Sequence, residues 1–162
     1  DTGLYWIPTS PMIPDFLSAL VYMATGLGEG TGIRQGDYFK WVGGKGINSR
    51  IFAQELNQIG LPGVQFVPET NGEFGGVRLF ITNMRAFQPA YTGLCILSCS
   101  HKLISYSVPK NENELTMFNK IMGTALIGRL IENDVSYQDL KKAYREPLEN
   151  FKKEREKYLI YQ

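Results

Sequence analysis

Apolar residues recur three and four apart at Phe16, Leu17, Leu20 and Tyr22, which predicts a helix opened by Pro14 and Asp15 and closed by Gly26. Before it, Pro8, Pro11 and Pro14 each remove a backbone donor and bias their predecessors to extended geometry, so this segment reads as an extended lead-in. Helical spacing returns over residues 49–59 (Ile51, Phe52, Leu56, Ile59), with Gly60 as the stop. Val64 and Phe66, then the alternating Val77, Leu79 and Ile81, predict two short strands on either side of the turn-rich Asn71-Gly72-Glu73-Phe74-Gly75-Gly76, with Arg78 and Phe80 on the opposite face. Pro89 suits the first turn of a helix whose stripe is Leu94, Leu97, His101 and Ile104, and residues 115–122 and 124–131 also read as helical. The last segment places Ser136 and Asp139 at capping-box-like spacing, followed by Leu140, Tyr144, Leu148 and Phe151. Pro147 interrupts that stripe, and a proline inside a helix costs about 3 kcal/mol, so a kink or a new helix is expected there. The order helix, helix, strands, helices predicts an α+β fold: a small antiparallel sheet packed with several helices, ending in a helix with a proline break. No internal repeat or second domain is legible, and residues 1–162 read as one domain.

Composition excludes classes rather than naming one. Seventeen Lys and Arg against 16 Asp and Glu leave a net charge of +1, which argues against nucleic acid as a partner. With 43% hydrophobic and 12% aromatic residues the chain has enough apolar surface to fold. One histidine and two cysteines leave no zinc site of the usual ligands and no disulfide framework, and no cofactor is implied. Cys95 and Cys99 lie four apart on a predicted helix and are expected to be reduced and buried. The longest mainly apolar stretch, 16–27, is too short to span a bilayer, so no membrane span is expected. The chain opens on Asp1 without the charged and apolar regions of a signal peptide, and the expectation is that a targeting peptide or upstream domain has been removed.

The densest local signal is glycine. Residues 26–46 hold eight of the 17 glycines, and no regular helix tolerates that density. No G-x-G-x-x-G register fits, and Gly44-Lys45 is followed by Gly46 rather than Ser or Thr, so a phosphate loop is not supported. One reading is a loop whose glycines only permit tight turns. The other is a ligand site, because Glu29, Thr31, Arg34, Gln35 and Asp37 ride on that frame and could hydrogen-bond a sugar, with Trp41 or Tyr38 offering an aromatic face. Glycosidases use paired carboxylates. Glu29 and Glu73 both sit in glycine-flanked turns and could converge; the plainer reading keeps them as solvated loop charges. His101 shares its stripe with leucines and isoleucine and reads as a satisfied, partly buried histidine, and residues 152–157 mix both signs as a solvated helix face with i,i+4 pairs.

Several short motifs, in order along nearly the whole chain, carry a resemblance: Asp1-Thr2-Gly3-Leu4 with Trp6, Ser10-Pro11 with Pro14, and Glu29-Gly30-Thr31. Further along come Leu61-Pro62-Gly63-Val64 with Phe66 and Pro68, then Gly72-Glu73 leading into Gly75-Gly76-Val77, and Ile81-Thr82. The series closes with Leu148, Phe151, Arg155 and Tyr158-Leu159-Ile160-Tyr161. Together they resemble the C-terminal domain of the NamZ-type exo-β-N-acetylmuramidases, peptidoglycan-recycling glycosidases. The resemblance implies a two-domain enzyme in which an upstream Rossmann-like domain supplies the main catalytic carboxylates and this domain lines the substrate cleft. Its substrate would be a peptidoglycan fragment with a non-reducing terminal N-acetylmuramic acid, and its location periplasmic or secreted. Substrate-binding positions carried over or suggested by the loop chemistry are Ser10, Glu29, Thr31, Arg34, Asp37 and Glu73, with no catalytic residue assigned to this chain.

Two departures stand out. Met12 replaces the asparagine usual after the Ser-Pro pair, and the family's longer loop, with its Gly-Arg-Gly-Thr element and Pro-Phe pair, is shortened here to residues 32–39. Whether Arg34 answers to the family arginine is left open by that shortening. Rival readings are a non-catalytic module that binds glycan or protein, and a purely structural domain.

Overall fold

The structure is a computed structural model and describes residues 3–111 and 115–160; Asp1-Thr2 and Tyr161 of the motifs above lie outside them. The elements in chain order are α1 (Phe16–Thr25), β1 (Arg34–Gly36), β2 (Trp41–Lys45), α2 (Ser49–Gln58), β3 (Val64–Asn71), β4 (Phe74–Ile81), α3 (Pro89–Ile104), α4 (Met117–Met122), α5 (Leu126–Glu132) and α6 (Tyr137–Arg155). The four strands form an antiparallel sheet in the order β1-β2-β4-β3, and the architecture is α+β as expected.

Local chemistry explains most boundaries. Asp15 caps α1, its carboxylate accepting the Ser18 N–H at 2.8 Å. Asn48, Thr116 and Ser136 cap α2, α4 and α6 in the same way. Pro89 opens α3, and Gly60, with φ +70°, follows the end of α2. Helix α6 is assigned through Pro147 without a new start. Pro147, exposed beside an apolar pocket that Ala143 and Tyr144 also line, lies inside the helix where the local penalty predicted a break.

The inner face of the sheet carries Val42, Val64, Phe66, Val77 and Leu79, packed beneath Phe52, Ala53 and Leu56 of α2. Helix α3 runs behind them at the centre of the molecule. Its residues 92–101 are all buried, because α1, α2, α5 and α6 contact it from different sides, whereas the sequence showed only one stripe. Cys95 and Cys99 are buried and unbridged there, and burial pushes their thiols up to about 12 and about 11. His101 is buried and meets Asp134 at 3.0 Å, as a satisfied core histidine should. Residues 152–155 are exposed, and Lys152 pairs with Glu149 at i,i+3, a spacing different from the expected i,i+4.

Residues 26–46 are not one loop. Their second half forms β1 and β2, which the glycines hid from the alternation test. Where β2 meets β4, Gly43 pairs with Gly76 and Gly44 with Gly75. The missing side chains of Gly43 and Gly76 leave a flat window on the outer face, and the Trp41 indole lies across it, while Gly44 and Gly75 make room on the inner side for Ile47. A Cβ on Gly43 would come within 2.6 Å of Trp41 Cζ2, and one on Gly76 within 2.6 Å of Trp41 Cε2. Trp41 is thereby 3% exposed although it stands on the outer face, and its Nε1–H donates to the Glu69 carbonyl at 3.0 Å. The β3 edge is sealed by Asn57, whose amide donates to the Phe66 carbonyl (2.8 Å) and accepts its N–H (3.0 Å), and Pro68 lacks a donor. Edge strand β1 instead borders a cleft.

Candidate functional site

The cleft lies between β1 and the glycine-rich turn before it. Its volume is about 390 Å³, and its lining includes Gly26, Glu29, Gly30, Arg34 and Gln35. The turn is rigid despite its glycines. Thr31 is buried, and its hydroxyl donates to the Gly28 carbonyl at 2.6 Å while accepting the Ile33 N–H at 3.2 Å. Gly30 adopts φ +75° and presses against Pro109, where a side chain would have no room. The backbone on both sides of Glu29 is thus pinned, and Glu29 itself lines the cleft. Thr31 acts from behind the wall and does not line it.

Arg34 stands opposite on β1, its guanidinium carbon 4.7 Å from the centroid of the Phe74 ring. Among the described residues Glu29, Arg34 and Gln35 have no side-chain hydrogen bond or ion pair within the chain. A carboxylate residue, a guanidinium residue and an amide residue thus line one cleft with their hydrogen-bonding capacity uncommitted among the described residues, which suits a polar, hydroxylated or anionic ligand.

Asp37 follows β1 in an unusual turn. Asp37, Tyr38 and Phe39 have φ of +44°, +53° and +71°, three successive non-glycine residues in the left-handed region. Each such residue costs about 1–2 kcal/mol, so surrounding contacts must hold them. Arg78 grips Asp37 Oδ2 through Nη1 at 2.5 Å and binds Glu69 bidentately through Nε (2.6 Å) and Nη2 (2.9 Å). Glu69 first and Asp37 second raise the Arg78 pKa further above its already high value. The Phe39 ring is buried edge-on to Tyr22 at 4.7 Å, and its carbonyl accepts the Thr25 hydroxyl at 2.8 Å. Lys40 Nζ reaches Asp15 at 2.6 Å, which together with the Ser18 N–H holds the Asp15 carboxyl down at about 2.

The other expected residues are placed elsewhere. Glu73 sits at the β3–β4 turn, exposed and paired with Lys45 at 2.8 Å, next to the Phe74 on which Arg34 rests. Glu29 and Glu73 do not share the cleft: only Glu29 lines it, because hairpin register sets Glu73 beside Lys45. Ser10 lies in the N-terminal turn, its hydroxyl accepting the Met12 N–H at 3.1 Å, and it is not a lining residue. The Arg78–Glu69–Asp37 clamp escaped the sequence reading; its one signal was a charged residue in the alternation of β4, on the face opposite Val77 and Leu79. No helix among the described residues is long and apolar enough to cross a membrane.

Comparison with known proteins agrees with the motif series. The curated peptidoglycan β-N-acetylmuramidase NamZ of Bacillus subtilis (strain 168) is 35% identical over 176 aligned positions, covering 99% of this chain and 42% of that protein. The crystal structure of a DUF1343 family protein from Bacteroides fragilis NCTC 9343 shares the fold, with a TM-score of 0.83 at 22% identity, over 99% of this chain and 46% of that one. The chain thus spans less than half the length of the relatives it matches. The family described as exo-β-N-acetylmuramidase NamZ, C-terminal, matches residues 20–161, and with that match over most of its length the chain belongs to this family.

Proposed function

We propose that this chain is the substrate-cleft domain of a peptidoglycan glycosidase that removes non-reducing terminal N-acetylmuramic acid, working beside an upstream Rossmann-like domain that carries the main catalytic carboxylates. The observation that carries this reading is the cleft that Glu29, Arg34 and Gln35 all line, with no side-chain hydrogen bond or ion pair of their own among the described residues. N-acetylmuramic acid differs from N-acetylglucosamine by a lactyl ether ending in a carboxylate. An uncommitted guanidinium such as Arg34 complements that group, and charge-assisted bonds to carboxylates are among the stronger ones. Glu29 accepts from sugar hydroxyls or the acetamido N–H, and Gln35 both donates and accepts. Thr31 holds the Glu29 turn. Asp37 acts through the Arg78 clamp, and Ser10 and Glu73 meet a substrate only where it extends past the cleft. Such an enzyme works in the cell envelope, periplasmic or secreted, where its polymer is.

The test is kinetic, in the complete polypeptide. Arg34→Ala is expected to raise KM for an N-acetylmuramide about 10- to 100-fold, the loss of one charged hydrogen bond of about 1.5–3 kcal/mol, with kcat little changed. Turnover of the matching N-acetylglucosaminide, which lacks the lactyl carboxylate, is expected to be indifferent to the substitution. An unchanged KM for the muramide would refute the assignment.

A further inference from the structure

We infer that Tyr38 is a stacking platform for a sugar ring at the rim of the Glu29–Arg34 cleft, presented by the left-handed turn. The inference rests on the glycan-binding reading above and adds to it a subsite outside the cleft lining.

Of the three left-handed residues, two have an internal reason to be where they are. Asp37 is tied to Arg78, and Phe39 fills a buried position against Tyr22. Tyr38 has none: among the described residues its side chain makes no hydrogen bond, ion pair or ring contact, and it is 45% exposed. Its φ of +53° is a conformation glycine adopts freely and a bulky residue does not. A strained position that carries a large aromatic side chain with no partner inside the molecule points to a partner outside it.

The turn is bonded to the cleft wall. Thr25 and Gly26 both line the cleft; the Thr25 hydroxyl bonds the Phe39 carbonyl, and a Cβ on Gly26 would sit 3.7 Å from the Phe39 ring. Gln35, another lining residue, lies three positions before Tyr38. The clamps at Asp37, Phe39 and Lys40 leave the backbone of Tyr38 little freedom, so only the side-chain rotamer is left to order at the moment of binding. Tyr22, 43% exposed, packs edge-on against the other side of this turn at Phe39. A phenol ring has an apolar face that suits the C–H face of a pyranose and a hydroxyl that suits its substituents.

The experiment titrates the complete polypeptide by calorimetry with a peptide-free N-acetylmuramoyl-N-acetylglucosamine disaccharide whose glycosidic oxygen is replaced by sulfur so that it resists cleavage, comparing Tyr38→Ala, Tyr38→Gly, Tyr38→Phe, Tyr38→Trp and Arg34→Ala with wild type. Tyr38→Ala and Tyr38→Gly are expected to weaken binding about tenfold, the upper range for a specific aromatic contact, while Tyr38→Phe and Tyr38→Trp bind within about twofold of wild type. Tyr38→Gly guards against misfolding, because it relieves the left-handed backbone as it removes the ring. If Tyr38→Ala and Tyr38→Gly bind like wild type while Arg34→Ala loses affinity, the platform is refuted and the glycan-binding cleft survives. Loss in Tyr38→Phe equal to that in Tyr38→Ala refutes stacking, and a wild-type protein that does not bind the disaccharide overturns both readings.

Discussion

Replacing Gly76 by alanine tests the glycine window that seats Trp41. The added Cβ would lie 2.6 Å from Trp41 Cε2 and closer still to Cζ2 and to the Val42 carbonyl oxygen. Neither neighbour can retreat easily, since Val42 is held in the β2–β4 ladder and the indole is tied to the Glu69 carbonyl. Accommodation by small shifts costs about 1–3 kcal/mol, as overpacking usually does. Full expulsion of the indole sets the upper bound. A buried tryptophan covers roughly 150–250 Å², worth about 4–6 kcal/mol at 25 cal/mol/Å², and the lost indole hydrogen bond adds about 1 kcal/mol. The expected destabilisation is about 3 kcal/mol, or a fall in Tm of about 6–12 °C for a chain of this size. Urea unfolding followed by circular dichroism measures it. Tryptophan fluorescence in a Trp6→Phe background, which leaves Trp41 as the sole tryptophan of the two, reports whether the indole is expelled. Gly72→Ala is the control: Gly72 has φ +60° and open space, so its cost is conformational and about 1 kcal/mol. A Gly76→Ala variant that loses no more than this control, with Trp41 emission unshifted, would refute the window.

Two further outcomes concern titration. The Asp15 carboxyl is held at about 2 in the folded chain against an ordinary 3.8, so its contribution is complete above the unfolded value and disappears as pH falls from about 4 through 2. Asp15→Asn keeps a capping acceptor and removes the charge facing Lys40. Its stability deficit relative to wild type should therefore be present at pH 6 and vanish near pH 2, and a deficit independent of pH would sink the assignment. Cys95 and Cys99, pushed up to about 12 and about 11 by burial, should not react with a chromogenic disulfide reagent in the native chain at pH 8. Both are expected to react once urea unfolds it, and a fast native reaction would show the α3 environment to be open.

The clamp, the window and the cleft are one mechanical assembly. Trp41 and Arg78 meet at Glu69, one through its carbonyl and the other through its carboxylate. Arg78 carries that position on to Asp37, and Asp37 opens the turn that displays Tyr38.

The sequence alone determined the features that depend on near neighbours. The caps at Asp15 and Ser136, the stop at Gly60, the Pro89 start and the alternation of Val77, Leu79 and Ile81 are set by interactions within a few residues, and each is where local chemistry put it. The motif series also reached the family. What depended on distant partners was not legible. Strands β1 and β2 carry almost no alternation, because Gly43 and Gly44 make room for Trp41 and for packing from beneath, a need visible only once β4 lies alongside. Helix α3 is buried nearly all round because four other helices contact it, which one stripe of leucines could not announce. At the site, the sequence named Glu29 and Arg34 by residue type, and only the tertiary structure separated them from Glu73, placed Thr31 behind the wall and tied Asp37 to Arg78. Charge and hydrogen-bonding capacity belong to the residue, but which of those capacities remain uncommitted is decided by every partner the folded chain brings within reach.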